Sequence, residues 1–87
     1  MSYIPFTEEQ KRQADAVDLE DFLLRHGERL LPSGRDKRLA SDHSVTIRGS
    51  QWYDHEAKTG GGPVAFLQTF RGLSYAEAVT ELLGVSL

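Results

Sequence analysis

The chain contains no cysteine among its 87 residues, and this absence narrows the range of its possible functions. Without thiols the protein holds neither a disulfide nor a thiolate metal site, and it has no cysteine nucleophile. The sequence also lacks a secretory apolar segment and any apolar run of about 18 residues, the length that crosses a bilayer. We therefore expect a cytoplasmic protein with no membrane association and no cofactor.

The remaining composition is ordinary for a small folded domain. Hydrophobic residues make up 39% of the chain and charged residues 26%, so wholesale disorder is not expected. A chain of this length has room for one compact core. We expect a polar N-terminal helix or extension over residues 1–16 and a single domain over residues 17–87.

The charge is distributed unevenly along the chain. The net charge is −3, whereas a nucleic-acid-binding surface is usually basic. Between residues 25 and 58, however, seven basic and five acidic residues leave a net charge of +2, while the flanks carry −5. A mildly basic centre is compatible with weak phosphate contacts and is also typical of a solvated surface, so strong autonomous DNA binding is not expected.

Helix signals flank this basic centre. The hydroxyl of Thr7 and the side chain of Gln10 have the spacing of a capping box, which predicts that a polar helix begins here. Asp18 is a second N-cap candidate. It precedes apolar residues with helical spacing over residues 19–26, and Gly27 is the predicted stop.

The centre of the chain has the pattern of a β-hairpin. Val45 and Ile47 alternate with polar residues, and the Gly49-Ser50 pair predicts the turn. Trp52 and Tyr53 lie on the returning strand and point to opposite faces, so we expect Trp52 in the core and Tyr53 near the surface. We interpret residues 60–62, three consecutive glycines, as a flexible turn rather than a nucleotide-binding loop, because the spacing of the known phosphate-binding motifs is missing.

Two further helices are predicted in the C-terminal third. Pro63 suits the first position of a helix, since its missing N–H would have no intrahelical partner there. Ser74 and Glu77 have the spacing of a second capping box, and Gly84 ends the last helix. The predicted fold class is therefore α+β, a small antiparallel sheet packed with three to four helices.

Taken together, residues 45–55 (VTIRGSQWYDH), 60–67 (GGGPVAFL) and 73–79 (LSYAEAV) carry a family resemblance. The order of hairpin, glycine run and two helices resembles the CHC2 zinc-ribbon domain of DnaG-type DNA primases. Because cysteines are absent, the chain is most similar to the DUF3991 domains, which precede Toprim domains in proteins of plasmids, phages and integrative elements. The resemblance covers about residues 17–84 and implies a zinc-ribbon-like sheet without zinc.

The resemblance also indicates where a metal site has been lost. Aligning the aromatic pair places His55 and Lys58 at two cysteine positions, and residues 41–44 near the other two ligands. His43 and His55 would lie opposite each other or one position apart, but two imidazoles do not make a tetrahedral zinc site. We expect these histidines and their neighbours Asp42 and Asp54 to form hydrogen bonds within the hairpin instead.

The candidate nucleic-acid contacts are five basic residues and one aromatic residue. The basic residues would neutralise phosphates, and the tyrosine would either stack on an unpaired base or serve only as a packing residue. These candidates are Arg35, Lys37, Arg38, Arg48, Lys58 and Tyr53. The expected partner is DNA, bound weakly and as a single strand.

We find no catalytic constellation in the sequence, and we do not expect the chain to be an enzyme. The resemblance implies a non-catalytic nucleic-acid-contacting or positioning module of a primase-like, mobile-element DNA-processing protein. One alternative is a protein-interaction module that docks on a Toprim, helicase or relaxase partner. The other is a stand-alone inhibitor protein encoded by a mobile element.

Overall fold

The computed structural model describes residues 6–84. Residues 1–5 of the expected N-terminal segment (1–16) and residues 85–87 of the expected domain (17–87) lie outside the described residues. The described part contains four helices and five strands. These are α1 (Glu8–Asp15), α2 (Leu19–Arg25), β1 (Leu30–Ser33), β2 (Asp36–Leu39), β3 (Val45–Arg48), β4 (Gln51–Asp54), β5 (Thr59–Gly61), α3 (Pro63–Phe70) and α4 (Tyr75–Leu83). The predicted α+β class is confirmed.

The five strands form one antiparallel sheet in which each strand pairs with the next along the chain, in the order β1-β2-β3-β4-β5. In the central hairpin Ile47 lies opposite Trp52, and Thr46 lies opposite Tyr53. Residues directly opposite each other share a face of the sheet, and successive residues alternate between faces. This register decides which candidate side chains lie together.

The hydrophobic core lies between one face of the sheet and the helices. That face contributes Leu39, Val45, Ile47 and Trp52, all buried. The helices contribute buried apolar side chains that include Leu19, Phe22, Leu23, Val64, Leu67, Ala78, Val79 and Leu82. The opposite face of the sheet therefore points away from the helices. No helix within residues 6–84 has the length and apolarity needed to cross a bilayer.

Both capping boxes predicted from the sequence are present. Thr7 and Gln10 exchange hydrogen bonds at the start of α1, and Ser74 and Glu77 do the same at the start of α4. Although α1 is mostly polar, its Ala14 is fully buried in the same core as the later elements. The core therefore continues across residues 16 and 17, where we placed the boundary between the N-terminal helix and the domain.

Three strands lie outside the hairpin that the sequence predicted. Leu30–Ser33 forms the edge strand β1, and the basic segment from residue 35 to residue 38 mostly belongs to β2. The prediction of a flexible turn at the glycine run was wrong, because Gly60 and Gly61 belong to β5 and Gly62 is the N-cap of α3. The glycines are needed for close packing. A Cβ at position 60 would clash with the carbonyl oxygen of Trp52.

Candidate nucleic-acid interface

One face of the sheet points away from the helices and carries three of the six candidate residues. We call it the open face and define it by two rows of side chains. The first row runs across β2, β3 and β4 through Arg38, Thr46 and Tyr53. The second row lies two residues further along each strand and consists of Asp36, Arg48 and Gln51.

Tyr53 is the exposed aromatic residue of this face. Its exposed fraction is 42%, whereas that of its neighbour Trp52 is 5%, so the prediction that Trp52 is core and Tyr53 is surface is confirmed. The tyrosine ring lies beside Gly60 of β5, where a Cβ would come within 3.1 Å of Cδ1 of Tyr53. The missing side chain at position 60 leaves room for the ring at the surface of the sheet.

Arg38 lies two strands away from Tyr53 and has no acidic partner among residues 6–84. Its Nε is buried without a hydrogen-bond acceptor in that part of the chain. A buried donor without a partner costs about 1–3 kcal/mol, more when the group is charged. The guanidinium therefore carries a positive charge that no carboxylate among residues 6–84 balances, and an anion on the open face would approach its terminal nitrogens rather than the buried Nε.

Arg48 differs from Arg38 because it already has a carboxylate partner. Its Nε donates to Oδ1 of Asp36 on the neighbouring strand at 2.6 Å. The arginine side chain remains largely exposed, so this ion pair contributes little stability. The pair nonetheless halves the positive charge that the two arginines would otherwise give the open face.

The structure does not bring the other three basic candidates to the open face. Lys37 lies opposite the buried Ile47 and hence on the helix side of the sheet. Arg35 lies in the turn between β1 and β2, and Lys58 lies in the turn between β4 and β5. In an antiparallel meander these two turns lie at opposite ends of the sheet. The six candidates therefore do not form one cluster.

His43 and His55 lie near each other beyond the paired ends of β3 and β4, but they do not form a common metal site. The backbone N–H of His55 donates to the carbonyl of Ser44, so His43 is one position out of register. Nε2 of His55 lies 3.0 Å from Oγ1 of Thr46, and the ring meets that of Tyr53 edge to face. Among residues 6–84, no three histidine or carboxylate side chains come together as a metal-binding group.

The aspartates beside these histidines form local hydrogen bonds, as expected. Oδ1 of Asp42 accepts the backbone N–H of Ser44 at 3.1 Å. Oδ1 of Asp54 accepts the backbone N–H groups of Glu56 and Ala57 at 2.9 and 3.1 Å. These bonds shape the two connections at one end of the sheet.

The glycine run offers no open anion site at the start of α3. The carboxylate of Asp15, on α1, lies against Gly62, where a Cβ would come within 2.5 Å of Oδ1. The N-terminus of a helix attracts anions, but here a carboxylate of the chain itself already lies beside it. A phosphate approaching this helix end would meet that negative charge.

Three residues of the open face were not singled out from the sequence. Asp36, Thr46 and Gln51 line a shallow depression beside Tyr53, with a volume of about 210 Å³. Thr46 is the only polar residue among the described buried ones, at 8% exposed. The sequence could have shown that Thr46 and Gln51 lie on this face. With a turn at Gly49, counting residues across the hairpin pairs Thr46 with Tyr53 and Arg48 with Gln51.

Comparison with protein families and with curated proteins adds no relative to this description. No protein-family model matches the chain, and no curated protein matches it significantly. The resemblance to the cysteine-free primase-like domains accordingly stays a prediction based on residues 45–79.

Proposed function

We propose that this domain is a non-catalytic module that contacts single-stranded DNA through the open face of its sheet. The observation that supports the proposal is an exposed tyrosine, Tyr53, lying across one strand from an arginine, Arg38, that has no acidic partner among residues 6–84. An aromatic ring and an unneutralised guanidinium are the two groups that unpaired strands require, one for bases and one for phosphates.

The geometry favours an unpaired strand over a duplex. In a duplex the faces of the bases are stacked on one another, so a ring on a flat sheet cannot reach them, whereas in a single strand they are accessible. Tyr53 and Arg38 lie two strands apart, or about 10 Å, given the ~4.8 Å spacing of neighbouring strands. One nucleotide with its neighbouring phosphate is enough to span that distance.

Weak binding is part of the proposal. Arg48 shares its charge with Asp36, and the whole chain carries a net charge of −3. Few phosphates are therefore neutralised, and both the affinity and its dependence on salt are small. Such a contact serves to position a strand for chemistry performed elsewhere. In the setting that the resemblance implies, that chemistry belongs to a Toprim or helicase domain of a mobile-element protein.

The test is a fluorescence-anisotropy titration of labelled single-stranded and duplex DNA at salt concentrations of about 50 and 200 mM. We expect saturable binding with preference for the single strand. Arg38→Ala should weaken binding and reduce the slope of log K against log salt by about 1 or less. The matched control is Lys37→Ala, which removes the same charge from the adjacent residue on the other face and should leave binding unchanged.

Two outcomes would overturn the proposal. One is the absence of binding to either DNA in low salt at high protein concentration, and the search would then turn to a protein partner. The other is equal loss of affinity in the Lys37 and Arg38 variants, because binding would then depend on net charge rather than on the open face. Circular dichroism of each variant checks that the fold is retained.

A further inference from the structure

We propose that the depression beside Tyr53 is a subsite for one unpaired nucleobase, which stacks on Tyr53 and whose edge hydrogen-bonds to Gln51 and to the Asp36–Arg48 pair. This inference rests on the proposed function and goes beyond it, because it assigns base recognition to Asp36, Gln51 and Arg48, of which only Arg48 was a candidate for phosphate contact. It turns a surface that contacts a strand into one that holds a single base of that strand.

The size of the depression fits one ring. Its volume is about 210 Å³, below the range of about 300–1,000 Å³ that is usual for small-molecule pockets. Thr46 lies at its floor, since it is nearly fully buried between Arg38 and Tyr53. The depression is therefore too small for a complete nucleotide, and the sugar and phosphate would lie outside it.

The polar groups around the depression match the edge of a base. The carboxylate of Asp36 accepts hydrogen bonds and the guanidinium of Arg48 donates them, and the two groups lie side by side at 2.6 Å. Every nucleobase has neighbouring donors and acceptors on its edge, which such a pair can meet from one side. The ion pair thus offers both kinds of partner without any change in the charge of the site.

Gln51 completes the row and has no strong hydrogen bond of its own among the described residues. Its Nε2 lies 3.4 Å from Oγ of Ser50, a long contact, and the side chain is exposed. An amide carries both a donor and an acceptor. Because Gln51 lies on the same strand and the same face as Tyr53, its amide can reach the edge of a ring stacked there.

The phosphate of the same strand has a place in this arrangement. Arg38 lies in the Tyr53 row on the far side of Thr46, so the sugar-phosphate backbone of a strand whose base occupies the depression would lie near the half-buried Arg38. Stacking and charge are then supplied by different residues. The two contributions can be separated by experiment.

The experiment compares a short single strand of about four nucleotides with an abasic strand of the same length and charge. Stacking on an aromatic side chain contributes ~1–3 kcal/mol per base, so the strand with bases should bind at least about fivefold more tightly to the wild type. Tyr53→Leu should abolish that difference and Tyr53→Phe should keep it. Gln51→Ala should weaken binding of the strand with bases and leave the abasic strand unaffected.

The matched control for Gln51 is Gln68→Ala, an exposed glutamine on α3 and away from the open face, which should change neither affinity. If both strands bind the wild type equally, or if Tyr53→Leu keeps the preference for bases, the subsite is refuted while phosphate contact stands. If neither strand binds, the proposed function itself fails. Thermal unfolding of each variant confirms that it is folded before binding is compared.

Discussion

The indole Nε1–H of Trp52 donates a hydrogen bond to the carbonyl oxygen of Gly62 at 2.9 Å. The same oxygen also accepts the backbone N–H of Phe66 in the first turn of α3. The indole ring meets those of Phe66 and Phe70 edge to face, with centroids 5.9 and 5.2 Å apart. One side chain of β4 thereby holds α3 at a defined position on the helix side of the sheet.

Trp52→Phe is expected to lower the free energy of unfolding by about 1–3 kcal/mol. The loss combines the indole hydrogen bond with the packing of the smaller ring, and it is limited because Gly62 keeps its bond from Phe66. Urea unfolding followed by circular dichroism measures it. Tyr53→Phe, on the exposed face, is the control and should stay within about 0.5 kcal/mol of the wild type. Similar losses in both variants would contradict the assignment of Trp52 to the core.

Gly60→Ala and Gly62→Ala are expected to differ, although both glycines belong to the same run. The new Cβ at position 60 would clash with a backbone atom, the oxygen of Trp52, that cannot move without shifting the sheet. Overpacking of this kind costs about 1–3 kcal/mol. At position 62 the neighbour is the end of the Asp15 side chain, which can rotate away, so a loss below about 1 kcal/mol is expected.

Thermal or urea unfolding of the two glycine variants, measured side by side, checks this order. Because Gly60 and Gly62 do not have positive φ angles, neither variant is strained in the left-handed region, and the difference compares packing at position 60 with side-chain movement and N-cap preference at position 62. A greater loss at position 62 than at position 60 would mean that Asp15 is held rigidly against the start of α3.

Lys58→Gly is expected to raise the stability of the fold. Lys58 has a φ of 58° in the turn between β4 and β5 and is the one non-glycine residue in residues 6–84 with positive φ. The left-handed conformation costs about 1–2 kcal/mol for a residue with a Cβ, and part of the gain is offset by the entropy of glycine in the unfolded chain. A net gain of about 0.5–1 kcal/mol is therefore expected.

Lys58→Ala is the matched control for this gain, since it removes the same charge but keeps the Cβ. Its stability in urea should not rise. If alanine stabilises the domain as much as glycine does, the gain comes from removing the lysine and not from relief of the backbone.

Glu77 is expected to make stability depend on pH in acid. The backbone N–H and the side chain of Ser74 hydrogen-bond to Glu77, and together they lower the pKa of this carboxyl below 4.5. Because the folded pKa lies below the unfolded one, the contribution is complete above pH 4.5 and is lost as the pH falls through the lowered pKa. The midpoint temperature of thermal unfolding should therefore decrease as the pH is lowered from 4.5 through the pKa of Glu77.

Glu77→Gln isolates this contribution, because glutamine keeps an acceptor for Ser74 in the capping box and does not titrate. The difference in melting temperature between wild type and variant should be larger at pH ~6 than at pH ~3. An NMR titration of the Glu77 side chain gives the folded pKa directly. A difference that does not change with pH would refute the role of the ionised carboxylate.

The sequence was most informative where short-range interactions decide the structure. The capping boxes at Thr7 and Ser74, the helical start at Pro63 and the left-handed stop at Gly84 each depend on residues within one helical turn. The hairpin around Gly49 is similar, because a two-residue turn and alternating apolar residues specify both its position and its register.

Two of the three strands outside the predicted hairpin, β1 and β5, depend on interactions distant in the chain or on position in the sheet. β1 contains Pro32, which argues against a strand except at a sheet edge, where β1 in fact lies. The glycines of β5 have no side chains from which a strand could be predicted. They form one because the backbone of β4 is available for pairing and Tyr53 and Ala65 fill the space that side chains would occupy.

The candidate site shows the same division. Residues 35–38 form one basic run in the sequence, and alternation along a strand is enough to place Lys37 and Arg38 on opposite faces once β2 is known. Local signals fixed the helix ends, the central hairpin, the α+β class and the burial of Trp52. Packing decided which face of the sheet the helices cover. It also decided that Arg48 pairs with Asp36 and that Arg38 has no carboxylate partner among the described residues. These features depend on strands brought together from separate parts of the chain.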